Sequence, residues 1–315
     1  MVSVKEKTIS GRQYLYANYS FRLPDGSIKK VSKLVKSKEE AGAKTVKDYF
    51  LRKEVEAYQA YALKHYTPDR ILTKEKIQSI EAMKAEYRQL IRNLSKQQLK
   101  DILDRFTVNF TYESNAIEGN SLTLKDVTLI LHENVVPKGK ELREVYETRN
   151  TRVANQLLFD NKIRITVKNV VKLHEVLVKD TGVAAGFKKF PNFLLMRDVK
   201  TTPPEKVRGE MERLVQWYQE NKAMHPLVLA SEFHARFERI HPFEDGNGRA
   251  GRVLVNAILL ENGYPPLIIR KTMRQSYFAA LEAADKKYFD KLTRFLLEKL
   301  EHTFKNFFKM YVKYL

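Results

Sequence analysis

The hydrophobic pattern changes character once along the chain. Over residues 1–36, β-forming residues flank a turn centred on Asp25-Gly26, with closely spaced tyrosines before it and Ile28 and Val31 after it. Such residues on both sides of an Asp-Gly pair predict a β-hairpin. From about Lys38 onward, apolar residues recur at intervals of three and four, which predicts helices. The pattern therefore predicts a mainly α fold preceded by a small module that contains a β-hairpin.

Start signals sharpen the helical prediction. Thr123 and Thr166 each precede an apolar-periodic run, and Pro204 opens another. One stretch, 186–202, breaks the periodicity, because its apolar run is followed by charged and β-branched residues; it predicts a short extended hairpin. We expect helices over 73–92, 96–112, 123–133, 141–160, 167–178, 204–221, 226–239, 248–262, 274–284 and 286–314.

Composition narrows the class of protein. With 43% hydrophobic and 30% charged residues, the 315-residue chain is typical of a globular protein large enough to bury a sizeable core. It has no cysteine, which excludes disulfide scaffolds and thiolate metal sites. No apolar run approaches the roughly 20 residues of a membrane span, and the N-terminus lacks the apolar stretch of a secretory signal. We therefore expect a cytoplasmic protein with no membrane partner.

The formal net charge of +19 favours acidic partners such as nucleotides, nucleic acid or an acidic protein surface. Solubility alone accounts for it equally well. In the N-terminal module, Lys29 and Lys30 lie beside the tyrosines of the hairpin. Nucleic-acid binding is one interpretation of that module. A small module for solubility or for docking a target is the other.

Residues 240–252, with the sequence IHPFEDGNGRAGR, carry the strongest chemical pattern. Pro242 cannot continue a helix interior, so His241 falls at a helix end. Gly246 and Gly248 permit a tight turn whose N–H groups converge at the start of the next helix. The free N–H groups and the helix dipole make such a turn an anion site.

Three further side chains suit that anion site to phosphate. Arg249 and Arg252 are three positions apart, so they share one helix face and can clamp phosphate oxygens. Asp245 supplies a hard oxygen of the kind that Mg²⁺ prefers. A plain helix–loop–helix turn would explain the glycines. It would not explain why a histidine, an aspartate and two arginines share the same loop.

Residues 241–252 match His-Pro-Phe-x-x-Gly-Asn-Gly-Arg-x-x-Arg, and this resembles the signature of the Fic family at every fixed position. The resemblance extends over roughly 107–298, where 193–199 resembles the family's flap. It implies a Fic-type helical bundle with a short β-hairpin flap. The expected organisation is a basic module of hairpin then helix, a helical region, the catalytic core and a C-terminal helix end, over 1–70, 71–140, 141–300 and 301–315.

The resemblance also implies an activity, protein adenylylation, in which AMP passes from ATP to a Ser, Thr or Tyr hydroxyl of a target protein. His241 would be the general base, and Asp245 would hold Mg²⁺ as cofactor. The amides of the loop, with one amide side chain, would bind the phosphates, and the two arginines would contact the β- and γ-phosphates. These phosphate-binding residues are Gly246, Asn247, Gly248, Arg249 and Arg252.

Other positions are implied with alternatives. The resemblance makes Asn256 and Tyr277 candidates for contact with the adenine. Packing in the core is an equally good interpretation of both residues. The 193–199 flap would dock the backbone of the target protein by adding a strand. The aromatic stripe of 304–311 could pack on the core or form a homodimer.

A second pattern lies upstream, where Ser114 and Glu118 are four apart on one helix face and Gly119 ends the helix. Ser-x-x-x-Glu-Gly resembles the inhibitory helix of a Fic subclass. The resemblance implies that Glu118 pairs with Arg252 and withholds it from ATP. Two other functions stay open: removal of AMP from a modified protein by the same site, with Glu118 positioning water, and a DNA-binding regulator that senses nucleotide.

Overall fold

The chain folds into a three-stranded antiparallel sheet followed by helices. The structure, a computed structural model, describes residues 2–192, 194 and 199–314. The strands are β1 (Ser3–Ile9), β2 (Arg12–Arg22) and β3 (Ile28–Val35). The helices are α1 (Lys38–Gly42), α2 (Lys44–His65), α3 (Lys74–Asn93), α4 (Lys96–Ile117), α5 (Leu124–Thr128), α6 (Leu142–Phe159), α7 (Val167–Leu177), α8 (Pro204–Glu220), α9 (Pro226–Ile240), α10 (Asn247–Glu261), α11 (Arg274–Asp285), α12 (Asp290–Thr303) and α13 (Lys309–Lys313).

Two compact units share the chain, Met1–Asn93 and Leu94–Leu315. The expected first module ended at residue 70, and this division falls later, after Asn93. The reason is packing, because Tyr58 of α2 and Ala85 of α3 belong to one buried cluster with Phe21 of β2. Helix α3 thus completes the core of the N-terminal unit.

The N-terminal sheet has one strand more than the single hairpin that the sequence predicted. The missed strand, β1, joins β2 through a two-residue turn at Ser10 and Gly11, both with positive φ (51° and 75°). Positive φ at both turn residues gives a twist that matches the strands of a tight hairpin. Inward-facing residues of the sheet pack on the first helices in a cluster around Ala17, Val46 and Phe50.

In the second unit, most expected helices form close to the predicted positions. The last one does not run unbroken over 286–314, because a π-helical turn at Phe304–Phe308 separates α12 from α13. The aromatic stripe there packs on α4, with the rings of Phe106 and Phe308 centred 5.9 Å apart. The packing interpretation accounts for this stripe, and homodimerisation stays a prediction.

Helix α10 organises the second unit. It packs against α9, which precedes it, and also against α4, α6 and α7. Nearly every residue from Asn247 to Leu259 is buried. Because several helices converge on α10, residues far apart in sequence meet at its N-terminus.

Part of the expected flap, residues 193 and 195–198, lies outside the described residues. The segments before and after it run beside the loop that follows α9. The N–H of Lys188 donates to the carbonyl oxygen of Pro242 (2.9 Å), and that of Thr202 to Ile240 (3.3 Å). Within the described part of the chain, no helix combines the length and the apolar character that a membrane crossing requires.

Candidate active site

His241 ends helix α9 in a left-handed conformation, with φ of 49°. Its side chain is 16% exposed, and Nδ1 lies 3.3 Å from the carbonyl oxygen of Glu238. A carbonyl oxygen only accepts hydrogen bonds, so this contact favours the tautomer with hydrogen on Nδ1. The lone pair is then on Nε2. That is the arrangement a general base requires.

The loop after His241 is held by the Asn247 side chain. Its Oδ1 accepts from the N–H of Phe243 and its Nδ2 donates to the carbonyl oxygen of the same residue, both at 2.9 Å. The sequence assigned this side chain to phosphate binding. In the structure, each polar atom of the buried amide makes one bond to the loop backbone. Asn247 therefore shapes the loop, and phosphate binding by its side chain stays a prediction.

His174 of helix α7 supports the same loop from the other side. Its ring stacks on Phe243 at 3.8 Å between centroids and 7° between planes. Nε2 lies 3.0 Å from the carbonyl oxygen of Asp245, and Nδ1 accepts the N–H of Gly186 at 3.2 Å. Burial lowers the pKa of His174 to about 4. The imidazole is thus neutral, with hydrogen on Nε2.

These contacts give His174 a structural role at the loop. No sequence signal connected it to the loop, because the two are distant along the chain. Gly246, in the same loop, has φ of 78°. A Cβ there would lie 3.4 Å from Val178 and 3.7 Å from His174. These distances are ordinary contacts, so it is the positive φ that favours glycine here.

Gly246 is the N-cap residue of helix α10, and no side chain caps the helix there. The N–H groups of its first turn have no partner within the helix, and they carry the positive end of the helix dipole. A carboxylate lies against this end: a Cβ built on Gly248 would be 2.1 Å from Oε1 of Glu118. The Glu118 carboxylate therefore occupies the position where the loop would bind an anion.

Glu118 and Arg252 form an ion pair, with Oε1 2.7 Å from Nη2. Arg252 also donates from Nε to the hydroxyl of Ser114 and from Nη2 to its carbonyl oxygen, each at 2.9 Å. The structure brings together the three residues that the sequence placed in one inhibitory group. The Arg252 side chain is 2% exposed, whereas that of Glu118 is 37% exposed. The carboxylate is therefore the accessible partner of the pair.

Asp245 belongs to a ring of four side chains in which acidic and basic groups alternate. Its carboxylate accepts from Arg143 of helix α6, and its Oδ2 lies 3.7 Å from Nη2 of Arg249. Glu147 closes the ring, with Oε1 3.3 Å from Arg143 Nε and 3.5 Å from Arg249 Nη1. Arg249 is 2% exposed, and within the described chain its Nε and Nη1 make no hydrogen bond. These two nitrogens can donate to a ligand.

Sequence reasoning missed Arg143 and Glu147. Their spacing of four on one helix indicates an ordinary surface ion pair. Only the tertiary fold shows that this pair faces the loop.

Asp245 is the metal ligand that the sequence predicts. Among the described residues, no cluster of three or more histidine, cysteine, aspartate or glutamate side chains could enclose a metal. A metal here would thus be held by Asp245 together with ligands from outside the protein, such as phosphate oxygens. The carboxylate pairs with Arg143 and Arg249 in the structure, so a metal would have to replace one of these cations.

Asn256 and Tyr277 are both buried, and Tyr277 lies beside Arg252, whose guanidinium carbon is 6.0 Å from the centre of the tyrosine ring. Both polar atoms of the Asn256 amide bond to the backbone of Leu267, at 2.8 and 3.0 Å, and the residue is fully buried. Tyr277 is 1% exposed, and its hydroxyl lies 2.6 Å from Nε2 of His234. These contacts favour the packing interpretation of both residues over adenine contact.

Part of the chain is similar to a known protein family. Residues 164–259 match the family model described as the Fic/DOC family. The "Protein adenylyltransferase Fic" of Drosophila persimilis is 30% identical over 197 residues, which are 61% of this chain and 39% of that protein. The Nematostella vectensis protein of the same name is 29% identical over 198 residues, 61% of this chain and 46% of the relative. The chain thus spans less than half the length of these relatives.

Solved structures give the same fold. A Fic domain containing signaling protein from Bacteroides thetaiotaomicron superposes with a TM-score of 0.68 at 26% identity, covering 74% of this chain and 97% of that one. Fic-1 from C. elegans gives a TM-score of 0.64 at 21% identity, covering 77% and 78%. At that identity, the second likeness shows the fold alone.

Proposed function

This chain carries a Fic domain, and we propose that it transfers AMP from ATP to a hydroxyl group of a target protein. One observation carries the proposal. A histidine poised as a base, an uncapped helix N-terminus and two buried arginines meet at the loop 241–252. The name of the relatives, protein adenylyltransferase, supports the same reaction.

The reaction follows from this arrangement. Nε2 of His241 takes the proton of the target hydroxyl as its oxygen attacks the α-phosphorus of ATP. The bond from the α-phosphorus to the bridging oxygen breaks, pyrophosphate leaves, and AMP remains on the target. The N–H groups at the start of α10 stabilise the negative charge that develops at phosphorus. Arg249 and Arg252 bind the oxygens of the departing phosphates.

Mg²⁺ fits this site as a proposed cofactor. Asp245 would hold it together with the phosphates. When bound, the metal neutralises phosphate charge and polarises the bond that breaks. Arg143 and Arg249 neutralise this carboxylate in the structure, and the metal would take the place of Arg143, the exposed one of the two.

We further propose that Glu118 inhibits the enzyme from within. Its carboxylate lies at the helix N-terminus and engages Arg252, so both an anion position and a phosphate-binding side chain are taken. ATP has to displace it, or binds misaligned. Opening would leave the buried Arg252 guanidinium without its carboxylate partner, which keeps the closed arrangement populated.

A target protein is the proposed second substrate, and the 193–199 region is its proposed docking strand. Support comes from the described flanks, since Lys188 and Thr202 hydrogen-bond to the backbone on either side of His241. A peptide that adds to this edge would bring its hydroxyl toward the histidine.

Removal of AMP is a second candidate reaction at the same site. It is favoured by the exposure of Glu118, at 37%, because a carboxylate reached by solvent can orient an attacking water. In that reaction Glu118 would be required rather than inhibitory. The two functions therefore predict opposite effects of the same substitution.

The test is labelling with ATP that carries the isotope on its α-phosphate. We expect Glu118→Ala to raise self-labelling at least tenfold over wild type, and the double variant with His241→Ala to be silent. Glu113→Ala is the matched control, since Glu113 is on the same helix and bonds to the N–H of Lys271 instead. If Glu118→Ala lowers labelling and abolishes release of AMP from a labelled protein, removal is the better assignment.

A further inference from the structure

The N-terminal sheet presents one face to its helices and the other to solvent. Along β2, Leu15, Ala17, Tyr19 and Phe21 point inward, where they belong to the two buried clusters of this unit. The residues between them point outward, because side chains alternate along a strand. The pairing register then assigns outward positions on the neighbouring strands. Lys7 is opposite Tyr14, Lys5 is opposite Tyr16, and Lys30 is opposite Ser20.

The outward face, defined here as the alternate residues in register with Tyr14 and Tyr16, carries cations and no carboxylate, together with three exposed apolar side chains, Ile9, Ile28 and Leu34. Glu6 is the single carboxylate within the three strands, and it is opposite Leu15, on the inward side. The outward cations are all exposed. They are Lys5 and Lys7 on β1, Arg12 and Arg22 on β2, and Lys30 on β3.

On this face, the charged side chains and the uncharged hydrogen-bonding side chains occupy different places. The cations lie on the edge strands and at the two ends of β2. Tyr14, Tyr16 and Asn18 occupy the middle of the central strand and are half-buried. Lys7 Nζ lies 5.3 Å from the centre of the Tyr16 ring, and the Asn18 Oδ1 accepts from Ser32 at 2.6 Å. These contacts hold the central side chains in place beneath a rim of positive charge.

We propose that the outward face binds double-stranded DNA in the major groove. Rim cations would contact phosphates, and the central polar side chains would reach base edges. Three strands about 4.8 Å apart give a sheet roughly 10 Å across between its outer strands, which suits a major groove of about 12 Å. The corresponding groove of RNA duplexes is deep and narrow, so the face favours DNA. This inference goes beyond the proposed AMP transfer and does not rest on it.

The experiment measures binding of the full chain to a fluorescent 24-base-pair DNA duplex by anisotropy between 50 and 300 mM salt. Neutralising Z phosphate contacts gives a slope of about −0.9Z in log affinity against log salt. We expect the triple variant Lys5→Gln, Lys7→Gln, Lys30→Gln to bind at least tenfold more weakly at 100 mM salt. Its slope should be shallower by roughly two to three.

The matched control is Lys29→Gln. Lys29 precedes Lys30 in β3 and is equally exposed, but it is opposite Phe21 and points to the other face. It should bind DNA within about twofold of wild type, because a single cation off the interface changes only the distant field. This control separates the face from the overall charge of +19.

Three outcomes overturn the proposal. In the first, the triple variant, shown to be folded by its melting temperature, binds DNA as tightly as wild type. In the second, a duplex RNA or single strand of the same sequence binds more tightly than the DNA duplex. In the third, vesicles of mixed neutral and anionic phospholipid compete with DNA for the face and bind it more strongly. AMP transfer, measured in parallel, should be equal in all variants.

Discussion

Arg143 of α6 and Arg249 of α10 share one carboxylate oxygen, Oδ2 of Asp245. Arg249 is buried and fixed, whereas the Arg143 side chain is 49% exposed. A divalent cation at Asp245 therefore competes with an arginine that can move away. Arg143 would act as a positioning residue that keeps the carboxylate neutralised until metal and nucleotide arrive together.

The first prediction is that Arg143→Gln lowers the metal concentration needed for binding. Without the competing guanidinium, Asp245 offers its charge to the metal alone. We expect Mn²⁺, measured by electron paramagnetic resonance with a non-hydrolysable ATP analogue, to bind about three- to tenfold more tightly, and half-maximal labelling to shift in the same direction. A shift of this size is about 0.7–1.4 kcal/mol, the order measured for exposed ion pairs.

Arg105→Gln is the control for that prediction. Arg105 forms a similarly exposed helical pair with Asp101, far along α4 from the loop. It should leave metal binding unchanged. If Arg143→Gln instead weakens binding of the ATP analogue, Arg143 contacts phosphate and does not compete with metal.

The second prediction concerns the space above Gly248. In Gly248→Ala, the new Cβ would be 2.1 Å from Glu118 Oε1 and 2.9 Å from Arg252 Nη1. We expect the variant to lose about 1–3 kcal/mol of unfolding free energy, as overpacking typically does. Removing the carboxylate should return part of that loss, so Gly248→Ala with Glu118→Ala should deviate from additivity by at least about 0.5 kcal/mol. Urea unfolding of the four proteins gives the coupling, and strict additivity would contradict the contact.

The third prediction is a pH dependence carried by His174. Its pKa is lowered from an ordinary 6.5 to about 4, chiefly by burial. Between those values the unfolded chain binds a proton that the folded protein excludes. The stabilising contribution is therefore complete above pH 6.5 and declines as the pH falls toward 4. Protonation would also set an N–H against the N–H of Gly186.

Unfolding by urea at pH 7.5, 6 and 5 measures this effect in wild type and in His174→Gln, whose side chain does not titrate. We expect the difference in unfolding free energy between the two to shrink on acidification, by an amount on the order of 2 kcal/mol. An identical pH profile in both proteins would show that other groups dominate.

The fourth prediction is that the second unit works alone. A fragment of residues 94–315 should melt cooperatively and label itself within about threefold of the full chain, compared in the Glu118→Ala background. A start near Lys74 is less suitable, because α3 packs on α2. The same fragment should lose the DNA binding that we assign to the sheet. An inert but folded fragment would place part of the chemistry in residues 1–93.

Local patterns were enough to predict the helices, the hairpin at Asp25-Gly26 and the residues of the loop. Each of these depends on neighbours in sequence: periodicity, turn chemistry or a short motif. The pairing of Glu118 with Arg252 came from a resemblance that spans both segments. Strand β1 was missed because a Ser-Gly turn is a weaker signal than Asp-Gly.

What could not be predicted depends on distant contacts. His174, Arg143 and Glu147 reach the loop through the packing of α6 and α7 on α10. Asn247 shows a second limit, because the sequence gives a side chain but not the direction in which it bonds. Its amide turns back and bonds to the backbone of Phe243.

Glu118 and Arg252 belong to the same polypeptide chain, and this affects how the enzyme would respond to nucleotide. A competitor on the same chain cannot be diluted away, so the degree of inhibition is independent of protein concentration. If the open form is a fraction f of molecules, the apparent dissociation constant for ATP rises by 1/f, about a hundredfold when f is near 0.01. Any partner that selectively binds the open form increases f. Such a partner would set the nucleotide threshold without touching the nucleotide.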